Sequence, residues 1–171
     1  MKKRVKPKRN KEHRPKRVAS NNMFLAVQNM AVLTDAEREF RVSPLRDAFE
    51  ALRTGKCAID QWELLADASN IGAELSNLLI CSDQPSVAIL NEMLLALGSI
   101  CTRYHRTGRI GATGEELKAI EAGIDRHEIQ LMYTTGLDLK KAGAALEQLK
   151  AQARAGRMPS LGMPKQEPTH V

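Results

Sequence analysis

A chain of 171 residues fits one hydrophobic core with tails, because single cores occupy roughly 100 to 200 residues; a second domain is not expected. Hydrophobic residues make up 43% of it and aromatic ones only 4%, so the core must come from Leu, Ile, Ala, Val and Met, a mixture that favours helix and argues against an all-β fold. The net charge of +6 divides unevenly: residues 1–18 hold ten Lys or Arg against one acid, a charge of +9, and the remaining 16 basic and 19 acidic residues leave the body at −3.

The first segment, residues 1–20, reads as a disordered basic arm. It contains Pro7 and Pro15, no aromatic residue and too few apolar side chains to offset the entropy of ordering. Residues 21–156 read as the helical domain, and 157–171, with Pro159, Gly162, Pro164 and Pro168, as a loose tail. At 22–33, Phe24, Leu25, Val27, Met30 and Leu33 suit either a helix or an extended lid. Ser43 and Pro44 are spaced as an N-cap and first helical residue, and Leu45, Ala48, Phe49 and Leu52 then share a face up to Gly55.

From about Ile59 to Ile80, a broad stripe through Trp62, Leu65, Ala66, Ser69, Ile71, Leu75, Leu78 and Leu79 predicts a long central helix. Ser82 to Pro85 break it. Val87, Leu90, Leu94, Leu97 and Cys101, widened by Ile89, Met93 and Ile100, predict a helix buried on more than one side and ending near Gly108. Thr113 and Glu116 have capping-box spacing and lead into Leu117, Ile120, Ile124, Leu131 and Met132, with a stop before Gly136. Leu137, Leu139, Leu146, Leu149 and Ala153 mark a last helix closed by Gly156. The expectation is an all-α compact bundle of four or five helices with short, mostly antiparallel connections.

Chemistry is sparse. His13 and His170 fall in the arm and tail. Cys101 and His105 are spaced i, i+4, but a structural zinc site needs four ligands and no second pair is in sight. Asp125, His127 and Glu128 read as a solvated charged face. Gly108, Gly111 and Gly114 follow no strand, so they fit an inter-helix loop rather than a phosphate loop. Neither an enzyme nor a cofactor or metal is therefore expected. Cys57, Cys81 and Cys101, odd in number and without CxxC spacing, read as buried free thiols of a reducing compartment. No segment is expected to be a signal peptide or to reach the apolar length of a membrane span.

The interaction signal is cationic. Lys2, Lys3, Arg4, Lys6, Lys8, Arg9, Lys11, Arg14, Lys16 and Arg17 suit sequence-tolerant contacts with nucleic-acid phosphates, which release condensed counterions. Arg103, Arg106 and Arg109, near Tyr104 and His105, form a second candidate site, since guanidinium forks bind phosphate bidentately. Part of this second cluster also fits a helix C-terminus, where cations are favoured.

Arg14-Pro15-Lys16 in a basic leader, the helical body with Leu45 and Ala51-Leu52-Arg53, and the later Ala155-Gly156-Arg157 resemble small uncharacterised helical proteins encoded by phages and prophages of Gram-negative bacteria. The resemblance implies a regulator or accessory protein working through surface contacts in the bacterial cytoplasm, and it assigns no catalytic residue. Two readings follow. In the first, the body binds a protein assembly while the arm contacts nucleic acid, as in a transcription regulator of antiterminator type. In the second, the chain is a protein-binding inhibitor of a host defence or polymerase complex, such as an anti-CRISPR-like protein.

Overall fold

The computed structural model describes residues 30–79 and 84–155; the arm, the tail, Cys81 and Gly156 lie outside them. These residues form five packed α-helices and no strand: α1 (Asp35–Arg53), α2 (Ile59–Leu78), α3 (Gln84–Thr107), α4 (Gly114–Leu131) and α5 (Gly136–Arg154). Of the segment read as helix or lid, Val32 pairs in extended form with Thr135. The Leu33 N–H donates to the Thr134 carbonyl at 3.1 Å, tying the chain to the α4–α5 corner.

The start of α1 differs from the expectation at Ser43-Pro44. The helix begins two turns earlier, at Thr34, where a capping box closes: the Glu37 N–H donates to Thr34 Oγ1 at 3.3 Å and the Thr34 N–H donates to the Glu37 carboxylate at 2.9 Å. Pro44 lies inside the helix and cannot donate to the Phe40 carbonyl, a substantial local cost. The helix continues through it because Val42 and Leu45, 1% and 3% exposed, extend the Phe49 face back past the proline. Their burial outweighs the missing bond. Gly55 and Gly108 end α1 and α3 in left-handed conformation, with φ of 70° and 68°, as the sequence predicts.

Helix α2 is central, packing against each of the other four. Its buried line shares Leu65, Ser69 and Leu75 with the predicted stripe but runs on through Ala68, Gly72 and Ser76, whereas Ile59 and Leu78 at the ends of that stripe are 45% and 39% exposed. A helix with four neighbours needs small residues where they approach. At Gly72 an added Cβ would lie 3.0 Å from Leu90 Cδ2 and 3.2 Å from Gln130 Oε1. The Ser69 hydroxyl donates to the Leu90 carbonyl at 3.0 Å. The Gln130 amide donates to the Gly72 carbonyl at 3.1 Å and to Ser76 Oγ at 2.7 Å.

Around α2, one apolar cluster joins α1, α3 and α4 through Phe49, Leu52, Leu65, Met93, Leu97 and Ile120. The Trp62 indole N–H donates to the Leu97 carbonyl at 3.2 Å. A smaller cluster gathers Leu33, Val42, Leu75, Leu131 and Ala142. Within α3, Ser86–Thr107 is long and apolar enough to cross a membrane by length and composition, which the sequence reading did not anticipate. Its Leu90, Met93, Leu97 and Ile100 are at most 1% exposed and pack on α2 and α4, whereas 33% of the apolar window is buried in all and Leu95 stays 63% exposed.

Helices α3 and α4 approach closely at Gly123. A Cβ built on Gly123 would lie 2.7 Å from Met93 Cβ and 2.9 Å from its Cγ, and Met93 Cβ cannot move without the α3 backbone. Gly98, on the open side of α3, has no atom near its absent Cβ. Opposite outcomes are expected in urea melts: Gly123→Ala should destabilise by roughly 1–3 kcal/mol through overpacking, and Gly98→Ala should stabilise by about 0.5–1 kcal/mol. Equal shifts for the two variants would contradict the close crossing.

Candidate nucleic-acid interface

The ten cations of the arm lie outside the described residues. The second cluster stands at the C-terminal end of α3 and in the loop to α4, where Gly108 turns the chain and Thr113 caps the next helix. The Glu116 N–H donates to Thr113 Oγ1 at 3.3 Å and the Thr113 N–H donates to the Glu116 carboxylate at 2.8 Å, forming the expected capping box.

Arg103 is not positioned like its two companions. Half-buried, it bridges to the Glu116 carboxylate and donates to the Gly111 carbonyl at 3.0 Å. It thereby clamps the loop between α3 and α4. Burial would raise the pKa of Glu116, but hydrogen bonds from Arg103, the Thr113 backbone and the Ser99 hydroxyl, with the Arg103 charge, outweigh it and hold the carboxyl at about 2.

Arg106 and Arg109 are exposed, and neither forms an ion pair among the described residues. Arg109 lines a cleft with Thr107, Gly111 and Thr113, and Arg106 lines a neighbouring one with Ser99 and Thr102. The α4 N-terminus beside them already carries Glu115 and Glu116 in its first turn, which satisfy its positive dipole end and repel a second anion. Any phosphate contact here belongs to the outer side, at Arg106 and Arg109. Tyr104 and His105 rings meet at 5.9 Å and 55°, with His105 on the surface.

The other titratable candidates separate. Asp125 is exposed and Glu128 pairs with Arg46 of α1, but His127 does not belong to a solvated face. It is 6% exposed because α4 turns it toward α1 and α2. Burial, reinforced by the charge of Arg41 and opposed by the nearby Gln130 amide, lowers its pKa to about 4. Neither His127 Nδ1 nor Gln130 Oε1 meets a partner in hydrogen-bond geometry. Sequence reasoning placed His127 outside because flanking acids and Arg126 resemble a polar face; its place three residues after Ile124, seven after Ile120 and four before Leu131, all spacings of one helical face, was the available signal.

Cys57 and Cys101 are free and half-buried rather than buried. Burial, helped by Asp60, raises the Cys57 thiol above its ordinary value, which disfavours the nucleophilic thiolate. Among the described residues no three His, Cys, Asp or Glu side chains are grouped to hold a metal ion.

Two measurements follow. A histidine neutral in the fold and protonated when unfolded contributes stability above pH 6.5 that is lost as pH falls toward about 4. Between pH 7.5 and 5 the protein should therefore lose on the order of 2 kcal/mol in urea denaturation, and His127→Gln should flatten that dependence. Arg103→Ala should destabilise by roughly 1–3 kcal/mol by leaving the Glu116 carboxylate without its charged partner, while Arg106→Ala should leave the melting curve in place.

Comparison with family models, with curated proteins and with solved structures found no match to this chain.

Proposed function

We propose that this chain is a non-enzymatic helical interaction protein of phage type whose body docks on a protein assembly while its basic arm contacts the phosphate backbone of nucleic acid in or beside that assembly. A transcription regulator of antiterminator type, acting in the bacterial cytoplasm, fits this description. The observation that carries the reading is the division of charge: +9 on residues 1–18 against −3 on the rest.

The body's own ion pairs support it. Arg46–Glu128, Arg103–Glu116 and Lys150–Asp67 join different helices, and Arg38, Arg53 and Lys118 pair within theirs. These pairs offset part of the body's positive charge, while the arm keeps the densest run of cations, to which Arg106 and Arg109 are added as candidates. Side chains such as Phe40, Leu95 and Tyr133, 80%, 63% and 69% exposed, offer the body apolar contacts for a protein surface.

If about half of the arm's cations meet phosphates, binding to a generic duplex or single strand should weaken with salt at a log–log slope of about −4 to −5. Deleting residues 1–18 should remove that slope and the binding while leaving the melting temperature unchanged. Undiminished retention of nucleic acid by the truncated chain would falsify the reading. A protein partner that survives nuclease and high salt, with no nucleic-acid binding by the full chain, would favour the inhibitor reading instead.

A further inference from the structure

A cleft opens between α1 and α5, which do not pack on one another, and α2 and α4 form its floor. It encloses about 330 Å³, a volume at which small-molecule sites occur. Its walls are apolar. Phe40 of α1 is 80% exposed and Leu64 of α2 is 39% exposed, while Ile71 of α2 and Leu139 of α5 are half-buried along it. Arg41 and Leu139 also line an adjoining cleft of about 570 Å³, where Glu37 and Lys140 stand.

Three polar side chains, Arg41, Asp67 and His127, line the apolar cleft, and they differ in what they can offer a ligand. Asp67 is paired with Lys150 at 2.6 Å. Arg41 is exposed and forms no ion pair among the described residues, although its charge acts on both Glu37 and His127. The guanidinium therefore stands near the imidazole. His127 is 6% exposed and its Nδ1 meets no hydrogen-bond partner. Neutral at pH 7, the ring carries one N–H donor and one acceptor nitrogen.

The charges select the ligand. Asp67 and Lys150 cancel, Glu37 and Lys140 are of opposite sign, and the single charge of Arg41 remains. That balance matches a monoanion, whereas a dianionic phosphate would also meet repulsion from the two carboxylates. Guanidinium binds carboxylate through paired hydrogen bonds, and a chain of several methylenes laid on Phe40 and Leu64 removes apolar surface from water.

We propose that this cleft binds a medium-chain carboxylate, its head between the Arg41 guanidinium and the His127 imidazole and its chain along Phe40, Leu64, Ile71 and Leu139. The site does not depend on what the arm contacts.

Octanoate added to the full chain provides the test. It should shift the NMR signals of His127, Ile71 and Leu139 saturably, at one molecule per chain, and leave those of Leu95 and Tyr133 in place. Octylammonium and 1-octanol should bind about tenfold more weakly or worse, since neither can accept a charge-assisted bond from Arg41. Arg41→Ala should weaken octanoate by a similar factor with the melting temperature unchanged, and Lys118→Ala, outside the cleft, should retain full affinity. Absence of saturable binding, shifts confined to other surfaces, equal binding of octylammonium, or undiminished affinity in Arg41→Ala would each overturn the proposal. So would tighter binding of octyl phosphate, which contradicts the selection of a monoanion.

Discussion

The packing of this bundle depends on how closely α3 and α4 can approach α2 along one seam. Ser69, Gly72 and Ser76 remove bulk from the central helix at successive turns, so that Leu90 and the Gln130 side chain reach its backbone. A small-residue seam of this kind exposes peptide groups to a low-dielectric interior, where an unpaired polar atom costs free energy. The seam answers that cost locally for the α2 backbone, where the Ser76 hydroxyl donates to the Gly72 carbonyl at 3.0 Å and the Gln130 amide N–H reaches both residues, while Gln130 Oε1 stays without a hydrogen-bond partner. Helix positions are thus set by directional bonds as well as by apolar contact, and Gly123 continues the same close packing between α3 and α4.

Local chemistry made the element order legible in the sequence. Thr113 and Glu116, Gly55 and Gly108 act within a few residues of chain, and the structure uses them as the sequence reading expected. Thr34-Glu37 and Thr135-Asp138 carry the same capping chemistry; the last helix is nevertheless found within a residue of its expected start at Leu137, whereas α1 starts earlier than the competing Ser43-Pro44 signal implies. There burial of Val42 ahead of Pro44 carries the helix back, and that term depends on partners distant in sequence.

The candidate site divides along the same line. That Arg103, Arg106 and Arg109 are clustered is visible from spacing alone, but spacing cannot distinguish an arginine available for a ligand from one already bound to its own fold. Arg103 is withdrawn by Glu116, a carboxylate on the following helix, and only the tight turn at Gly108 brings the two together. His127 shows the converse: flanking charges conceal a neutral imidazole whose burial follows from α4 having three helical neighbours. Tertiary placement converts similar residue types into a clamp, a surface cation or a floor group.

Helix α5 stands apart from this arrangement. Among the described residues its only helical neighbour is α2, its buried residues are Ala142 and Leu146, and an ion pair, Lys150 with Asp67 at 2.6 Å, holds its C-terminal half. Local opening free energy follows the apolar contact each part makes, so α5, with a single described helical neighbour, is expected to open at lower free energy than α1–α4, uncovering Leu75 and Ile71. Its backbone amides are accordingly expected to exchange faster than those of the other four helices.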